Sequence, residues 1–184
     1  MSLSAVSEAI YDYMEPSASN IPNLGALYRA LPKVADEADL FQFTPPGLSV
    51  GATIYYFATD QKETRTALGG PPPPYGGGGH KFVEYTFAFL IYFKSDSPAV
   101  IDGQIAYDAF KDAFVARVRA NRTAGTDAAE YGGNGTGTIF QWGEGGIHGG
   151  VDIQAQHFVP KTIDGGAVLF QSLYHLNVCE DIFT

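Results

Sequence analysis

The stretch VEYTFAFLIYF, residues 83–93, alternates two kinds of side chain along its whole length. The odd-numbered residues form one wholly apolar face, and the even-numbered residues form a mixed one. This period of two predicts a β-strand about 36 Å long with one face in a hydrophobic core. The remaining segments are expected either to pair with this strand or to cover its apolar face.

Several other segments are also typical of strands. Residues 52–58 are dense in β-branched and aromatic side chains, and residues 59–62 are expected to turn so that residues 63–68 return as a polar strand. Further strands are predicted later in the chain, at residues 138–142, 151–159 and 167–178. In the second of these, the odd-numbered residues from Val151 to Val159 are expected to face the core.

Two amphipathic helices are expected. Leu3, Val6, Ile10 and Tyr13 recur at helical spacing, and Pro16 is expected to end this first helix. The second begins after Ser97, a candidate N-cap, with Pro98 at the first helical position. Its buried side is predicted to contain Val100, Tyr107, Phe110, Phe114 and Val118. Between Pro22 and Pro32 we expect only an apolar segment with one helical turn.

The order helix, strands, helix, strands predicts an α+β fold. We expect a mostly antiparallel β-sheet with two main helices packed on one face and long Gly/Pro-rich loops. The length of 184 residues fits one domain, residues 1–184.

The run GGPPPPYGGGG, residues 69–79, is predicted to project from this domain. Four prolines favour stiff polyproline II, and glycines on both sides let the stiff piece change direction. We therefore regard Pro71, Pro72, Pro73, Pro74 and Tyr75 as candidate partner contacts. Asp60 and Lys62, in the expected turn before this run, are further candidates.

The charge and composition limit the functional classes. A net charge of -9 argues against a protein that grips nucleic acid, although DNA could slide past an acidic wall. No apolar run is long enough for a transmembrane helix, and the N-terminus does not resemble a signal peptide. A single cysteine, Cys179, fits synthesis in a reducing cytoplasm.

The sequence offers little chemistry, so we expect no enzymatic activity, no cofactor and no metal site. The four histidines make no metal-binding pair, and His157 is expected to be a hydrogen-bonded core histidine. Cys179 is expected to be a small buried hydrophobe, and Glu180 and Asp181 to lie in a solvated end. The Gly-rich residues 132–137 lack the Lys-Ser/Thr ending of a phosphate-binding loop.

The order and character of these segments resemble the tail terminator proteins of long-tailed bacteriophages. The similarity rests on the short first helix, the Ile21-Pro22 and Leu31-Pro32 segment, and the aromatic strand at residues 54–57. It continues through the strand at 82–93, the helix at 100–119, and a closing strand that ends in acidic residues at 177–181. The 69–79 run departs from the family core.

This resemblance implies a structural virion protein in the tail or neck. Such a protein forms a ring, a homohexamer in this family, which caps the tail tube and then joins the tail to the head. The implied partners are the tail tube protein and a head–tail connector or stopper protein, with DNA passing through the lumen without specific binding. Two alternatives stay open: a head-side connector or stopper, and a sugar- or receptor-binding module with Tyr and Trp exposed on Gly-rich loops.

Overall fold

The strand around residues 83–93 is the centre of the sheet. The computed structural model describes residues 3–30, 50–65, 80–97, 99–120, 138–142, 153–163 and 166–183. In chain order the elements are α1 Leu3–Met14, α2 Pro16–Ser19, β1 Leu24–Tyr28, β2 Val50–Arg65, β3 His80–Ser95, α3 Val100–Ala120, β4 Thr138–Trp142, β5 Ile153–His157, β6 Lys161–Thr162 and β7 Val168–Phe183. The predicted loop at 69–79 lies outside the described residues.

Three long strands, β2, β3 and β7, form the body of the sheet. Each has 16 residues, and β3 pairs antiparallel with both neighbours. The outer side of β7 is paired in succession by β6, β5 and β4, all antiparallel to it. On the opposite edge β1 pairs in parallel with the first part of β2, so the sheet is mostly antiparallel.

Both main helices pack on the face formed by the odd-numbered residues of β3. Phe89 meets Phe114 of α3 edge to face at 5.7 Å, and it stacks on Tyr56 of β2 at 5.4 Å. The hydroxyl of Tyr56 donates a hydrogen bond to the Ser7 carbonyl of α1 at 2.7 Å. The predicted α+β class, with the helices on one face, is therefore confirmed. The core also contains Val6, Ile10, Phe87, Ile91, Phe93, Phe110, Phe170 and Leu176.

Two predictions about the first half of the chain are wrong. The segment after Pro22 is strand β1 rather than a helical turn, because its backbone pairs with the open edge of β2 from Ala52 to Tyr55. Residues 59–62 do not turn, because β2 continues through them to Arg65. A β-bulge between Ala58 and Asp60 absorbs one extra residue, so the polar stretch stays paired with β3.

Three burial predictions are also wrong. Val100 is 60% exposed because it starts α3 beyond the packed part of the helix, whereas the other four predicted core residues of α3 are buried. Strand β5 forms as predicted, yet four of its five residues are exposed, because it pairs with β7 alone among the described strands. Glu180 is fully buried rather than solvated, since β7 stays paired with β3 to residue 183.

The start of α3 is fitted closely to the sheet. The helix begins at Val100, later than expected, and the Ser97 hydroxyl accepts a hydrogen bond from the Ala99 amide just before it, at 3.3 Å. Pro98 lies outside the described residues. Gly103 is buried over the ends of β3 and β7. A Cβ atom there would lie 2.9 Å from Ser95 Oγ and 3.4 Å from the Phe170 ring, so the close approach requires glycine.

Candidate interaction surfaces

The described residues with metal-binding potential are spread over the fold. Within the described ranges no group of three or more His, Cys, Asp or Glu side chains could hold a metal ion. His157 is exposed on β5, not in the core, and its Nδ1 lies 3.1 Å from the Ser172 hydroxyl. Partial burial, followed by the nearby Lys111 charge, lowers the pKa of His157. The His157 ring is thus a hydrogen-bonded part of the sheet edge.

Cys179 and Glu180 are both buried in β7. Cys179 is 5% exposed, which confirms the prediction of a small buried side chain. The carboxylate of Glu180 accepts a hydrogen bond from the Tyr85 hydroxyl at 3.0 Å across the β3–β7 pair. Burial, followed by the negative charge of Glu180, raises the pKa of Tyr85. This pair joins two central strands inside the fold.

The sequence-predicted contact residues fall into two groups. Asp60 and Lys62 lie on the exposed outer part of β2. Asp60 accepts a hydrogen bond from the Gln61 amide at the bulge, at 2.8 Å. Lys62 is 72% exposed at its side chain and lies 3.8 Å from Glu84. Pro71, Pro72, Pro73, Pro74 and Tyr75 lie outside the described residues.

Several large apolar side chains are exposed on the first turns of α3 and just after β5. Ile101 and Ile105 on α3 are 68% and 62% exposed, and Val159, just after β5, is 84% exposed. The Phe158 amide donates to the Gln171 carbonyl at 3.1 Å, and by the β5–β7 register this places Val159 beside Phe170. Phe170 also lies under the first turns of α3. Phe158 pairs with Gln171 and therefore points to the opposite face of the sheet from Val159. We call the exposed residues Val100, Ile101 and Ile105 the α3 corner.

The opposite edge of the sheet has a groove. It opens where β1 ends, beside the outer edge of β2, and its volume is about 380 Å³. Apolar side chains of α1, β2 and β3 line it, with Arg29 at its border. The Arg29 guanidinium binds both carboxylate oxygens of Glu8, one at 2.6 Å, so the positive charge of Arg29 is paired with a negative one. We call the groove between Leu3, Ser4, Ser7, Phe57 and Ala58 the α1 groove.

A polar depression lies on the face of the sheet opposite the helices. Its volume is about 310 Å³, and Thr86, Gln154, His175 and Asn177 line it. These residues are brought together by register, because Thr86 pairs with Asn177 and His175 pairs with Gln154. The Thr86 hydroxyl donates to Asn177 Oδ1 at 3.1 Å. The described lining combines hydrogen-bond donors and acceptors, and it contains neither a carboxylate nor a Phe, Tyr or Trp ring.

Sequence reasoning missed all three of these surfaces. The α3 corner was hidden because Val100 fits the helical pattern of the core and only the end of the sheet leaves it exposed. The α1 groove and the polar depression depend on which strands are neighbours. The one usable signal was Ile101 and Ile105, which fall four residues apart and outside the predicted buried side of α3.

Within the described part of the chain, no helix combines the length and apolar character needed to cross a bilayer. No family model matches the chain, and no curated protein matches it. Among solved structures, the chain is similar to a chain of a structure described as the virion of a native gene transfer agent particle, with 11% identity and a TM-score of 0.30. The alignment covers 94% of this chain and 92% of that chain. Identity and TM-score are both low, so this similarity assigns neither a fold nor a function.

Proposed function

We propose that this protein is a non-enzymatic structural component of a phage-like virion. In its finer form, the proposal is a ring that caps the tail tube and joins the tail to the head. Its partners would be further copies of itself, the tail tube protein and a connector or stopper protein. The main support is the order of elements that resembles tail terminators, on an α+β domain.

One structural observation carries the assembly role. Seven large apolar side chains are exposed among the described residues. Val100, Ile101 and Ile105 lie on the first turns of α3, Phe158 and Val159 follow β5, and Leu3 and Tyr28 lie on α1 and β1. Exposed apolar surface of this kind is typical of surfaces that contact other proteins. The net charge of -9 suits a ring whose lumen DNA passes without being held.

The direct test is the assembly state of the purified chain. Size-exclusion chromatography with light scattering, followed by electron microscopy, is expected to give a closed ring, alone or on added tail tubes. In a phage whose copy of this gene is disrupted, unjoined heads and tails of irregular length are expected. Normal particles in that phage would contradict the terminator role. Irregular joining with tails of normal length would instead favour a head-side connector or stopper.

The polar depression favours a second candidate, a sugar-binding module. Hydroxyl, amide and imidazole groups at Thr86, Gln154, His175 and Asn177 match the donors and acceptors of a sugar ring, and pockets of about this size hold small ligands. Binding to a glycan array that is lost in Asn177→Ala and kept in Glu84→Ala would support this candidate. Glu84 is a suitable control because it lies on the same face of β3, two residues from Thr86.

A further inference from the structure

Strand β5 is attached to the fold by its backbone pairing with β7 and by side-chain hydrogen bonds at its C-terminal end. His157 lies directly opposite Ser172 in the β5–β7 register, and its Nδ1 is 3.1 Å from the Ser172 hydroxyl. Ser172 is fully buried and also shares a hydrogen bond with the hydroxyl of Tyr107 on α3. The Tyr174 hydroxyl is a further hydrogen-bond partner of Ser172. We call these four residues the His157 network, which joins β5, β7 and α3.

The protons of the His157 network determine the direction of its hydrogen bonds. Tyr107 and Tyr174 are 3% and 2% exposed, and burial raises the pKa of both, so both hydroxyls keep their protons at neutral pH. A serine hydroxyl accepts two hydrogen bonds and donates one. When both tyrosines donate to Ser172, its single proton is left for His157 Nδ1. All the hydrogen bonds of the network therefore form together only when the His157 ring is neutral and carries its proton on Nε2.

Protonation of His157 is incompatible with this arrangement. Nδ1 then becomes a donor, so Ser172 has to accept its hydrogen bond and turn its own proton toward one of the tyrosines. That tyrosine can no longer donate to Ser172. Because the hydroxyl is buried, the loss of its acceptor destabilises the closed arrangement.

The charges around His157 also oppose its protonation. Within the described residues, the ionisable groups that face it from the neighbouring elements are Tyr107, Asp108, Lys111, Asp112 and Arg119 on α3 and Tyr174 on β7. The Asp108 carboxylate is already engaged, since it accepts hydrogen bonds from Lys111 at 2.8 Å and from Gln104 at 2.9 Å. Partial burial, followed by the Lys111 charge, lowers the pKa of His157, and the negative charge of Asp108 opposes this only in part.

We propose that His157 attaches β5 in a pH-dependent way, holding the strand against β7 and α3 when the ring is neutral and releasing it when the ring is protonated. The remaining attachment of β5 is weak, because four of its five residues are exposed. Since the pKa of His157 in the folded chain lies below 6.5, the attachment is complete above pH 6.5 and is lost as the pH falls toward the folded value. We expect β5 to open in mild acid while β2, β3 and β7 stay paired.

The ring tautomer tests the His157 network in the full chain. Nitrogen NMR with isotopically labelled histidine distinguishes the two ring nitrogens, and the signals of His157 are identified by their loss in His157→Asn. At about pH 7.5 we expect Nδ1 to be unprotonated and Nε2 to carry the proton, with a titration midpoint below about 6.5. In Ser172→Ala this preference for one tautomer is expected to be lost. A proton on Nδ1 in the wild-type chain, or a midpoint at or above about 6.5, would overturn the proposal.

Hydrogen exchange measures the release of the strand. Between about pH 7.5 and about pH 5.5, the protection of the β5 amides, corrected for the intrinsic exchange rate, is expected to fall several-fold. The limit is about tenfold for each pH unit by which the measured midpoint lies below 6.5. His157→Asn keeps an acceptor near the position of Nδ1 but cannot titrate, so its β5 protection is expected to stay constant. His80→Asn is the matched control, because His80 pairs with Phe183, eleven residues from Ser172 along β7.

The outcomes of the exchange experiment are separate from those of the assembly tests. Constant β5 protection in the wild-type chain, or an equal acid-induced loss in wild type and His157→Asn, would overturn the proposal. So would opening of β3 and β7 together with β5, because the release would then not be local. If β5 is unprotected at both pH values in His157→Asn, the tautomer of the wild-type ring decides. The proposed virion function stands or fails independently of each of these results.

Discussion

Tyr13 and Arg117 hold the ends of the two main helices together through three hydrogen bonds and a cation–π contact. The Tyr13 hydroxyl donates to the Arg117 carbonyl at 2.8 Å, and Arg117 Nη2 and Nε donate to the Tyr13 carbonyl at 2.8 and 3.3 Å. The guanidinium carbon also lies 3.7 Å from the centre of the Tyr13 ring. The two residues thus satisfy carbonyls at the C-terminal ends of α1 and α3, which have no partner within their own helices.

Arg117→Ala is expected to lower the free energy of unfolding by about 1–3 kcal/mol, since it removes a cation–π contact and two charged hydrogen bonds to one carbonyl. Urea unfolding followed by circular dichroism would measure this loss. Arg119→Ala is the matched control, because Arg119 is exposed two residues further along the same helix. An equal effect in both variants would show that the contact with Tyr13 contributes nothing specific.

The raised pKa values of Tyr55 and Tyr56 predict that the folded protein loses stability at alkaline pH. Burial raises the pKa of both hydroxyls from 10.0 to about 12. Between these values the unfolded chain releases protons that the folded chain retains, so stability is full below pH 10 and falls as the pH rises toward 12. Unfolding free energies measured across this range are expected to show the decline. A flat profile from pH 9 to about pH 12 would contradict it.

Tyr55→Phe separates this effect from hydrogen bonding. The Tyr55 hydroxyl is buried and has no hydrogen-bond partner in the described structure. Removing it is expected to leave stability at neutral pH unchanged or up to about 1 kcal/mol higher, because no bond is lost and no polar group stays buried. The alkaline decline should become shallower. Tyr56→Phe, which loses the bond to the Ser7 carbonyl, should by contrast be less stable at neutral pH.

Tyr85→Phe is expected to destabilise the fold by about 1.5–3 kcal/mol, because it removes the donor to a fully buried carboxylate. Glu84→Gln, one residue away, breaks only the weak exposed pair with Lys62 and should cost less than about 1 kcal/mol. Chemical denaturation of both variants at neutral pH makes the comparison. Similar losses in unfolding free energy would mean that the buried Tyr85–Glu180 hydrogen bond contributes no more than the exposed Lys62–Glu84 pair.

Gly103→Ala is expected to have two opposing effects on the free energy of unfolding, one from helix propensity and one from packing. Alanine would favour the helix by about 1 kcal/mol, but its Cβ would lie 3.0 Å from Ser95 Cβ, and such overpacking costs about 1–3 kcal/mol. We expect a net loss that Ser95→Gly partly restores in the double variant. A double-mutant cycle of thermal unfolding checks this coupling. Additive effects would mean that the two sites do not touch.

The sequence was most informative where a local pattern and its burial agree. The alternation at 83–93 and the helical spacing from Tyr107 to Val118 are each set by one face in the core, so both were predicted correctly. The polar run at Asp60 and Lys62 resembles a turn, and only its pairing with β3 makes it strand. Glu180 resembles a solvated end, and its burial depends on β3, about a hundred residues earlier in the chain. Contacts between residues so far apart in the chain leave no pattern in the local sequence.

The pairing of β3 with β7 also determines when the protein can fold. Ser95 pairs with Val168 and His80 with Phe183, so every bond in this ladder closes a loop of more than seventy residues. Long-range antiparallel pairing is slow, on the order of milliseconds to seconds. On the ribosome, the edge of β3 that pairs with β7 must wait until residues 168–183 have emerged. During that wait the edge of β3 is open to strands of other nascent chains, so aggregation in competition with folding is expected to limit the yield of this protein at high expression.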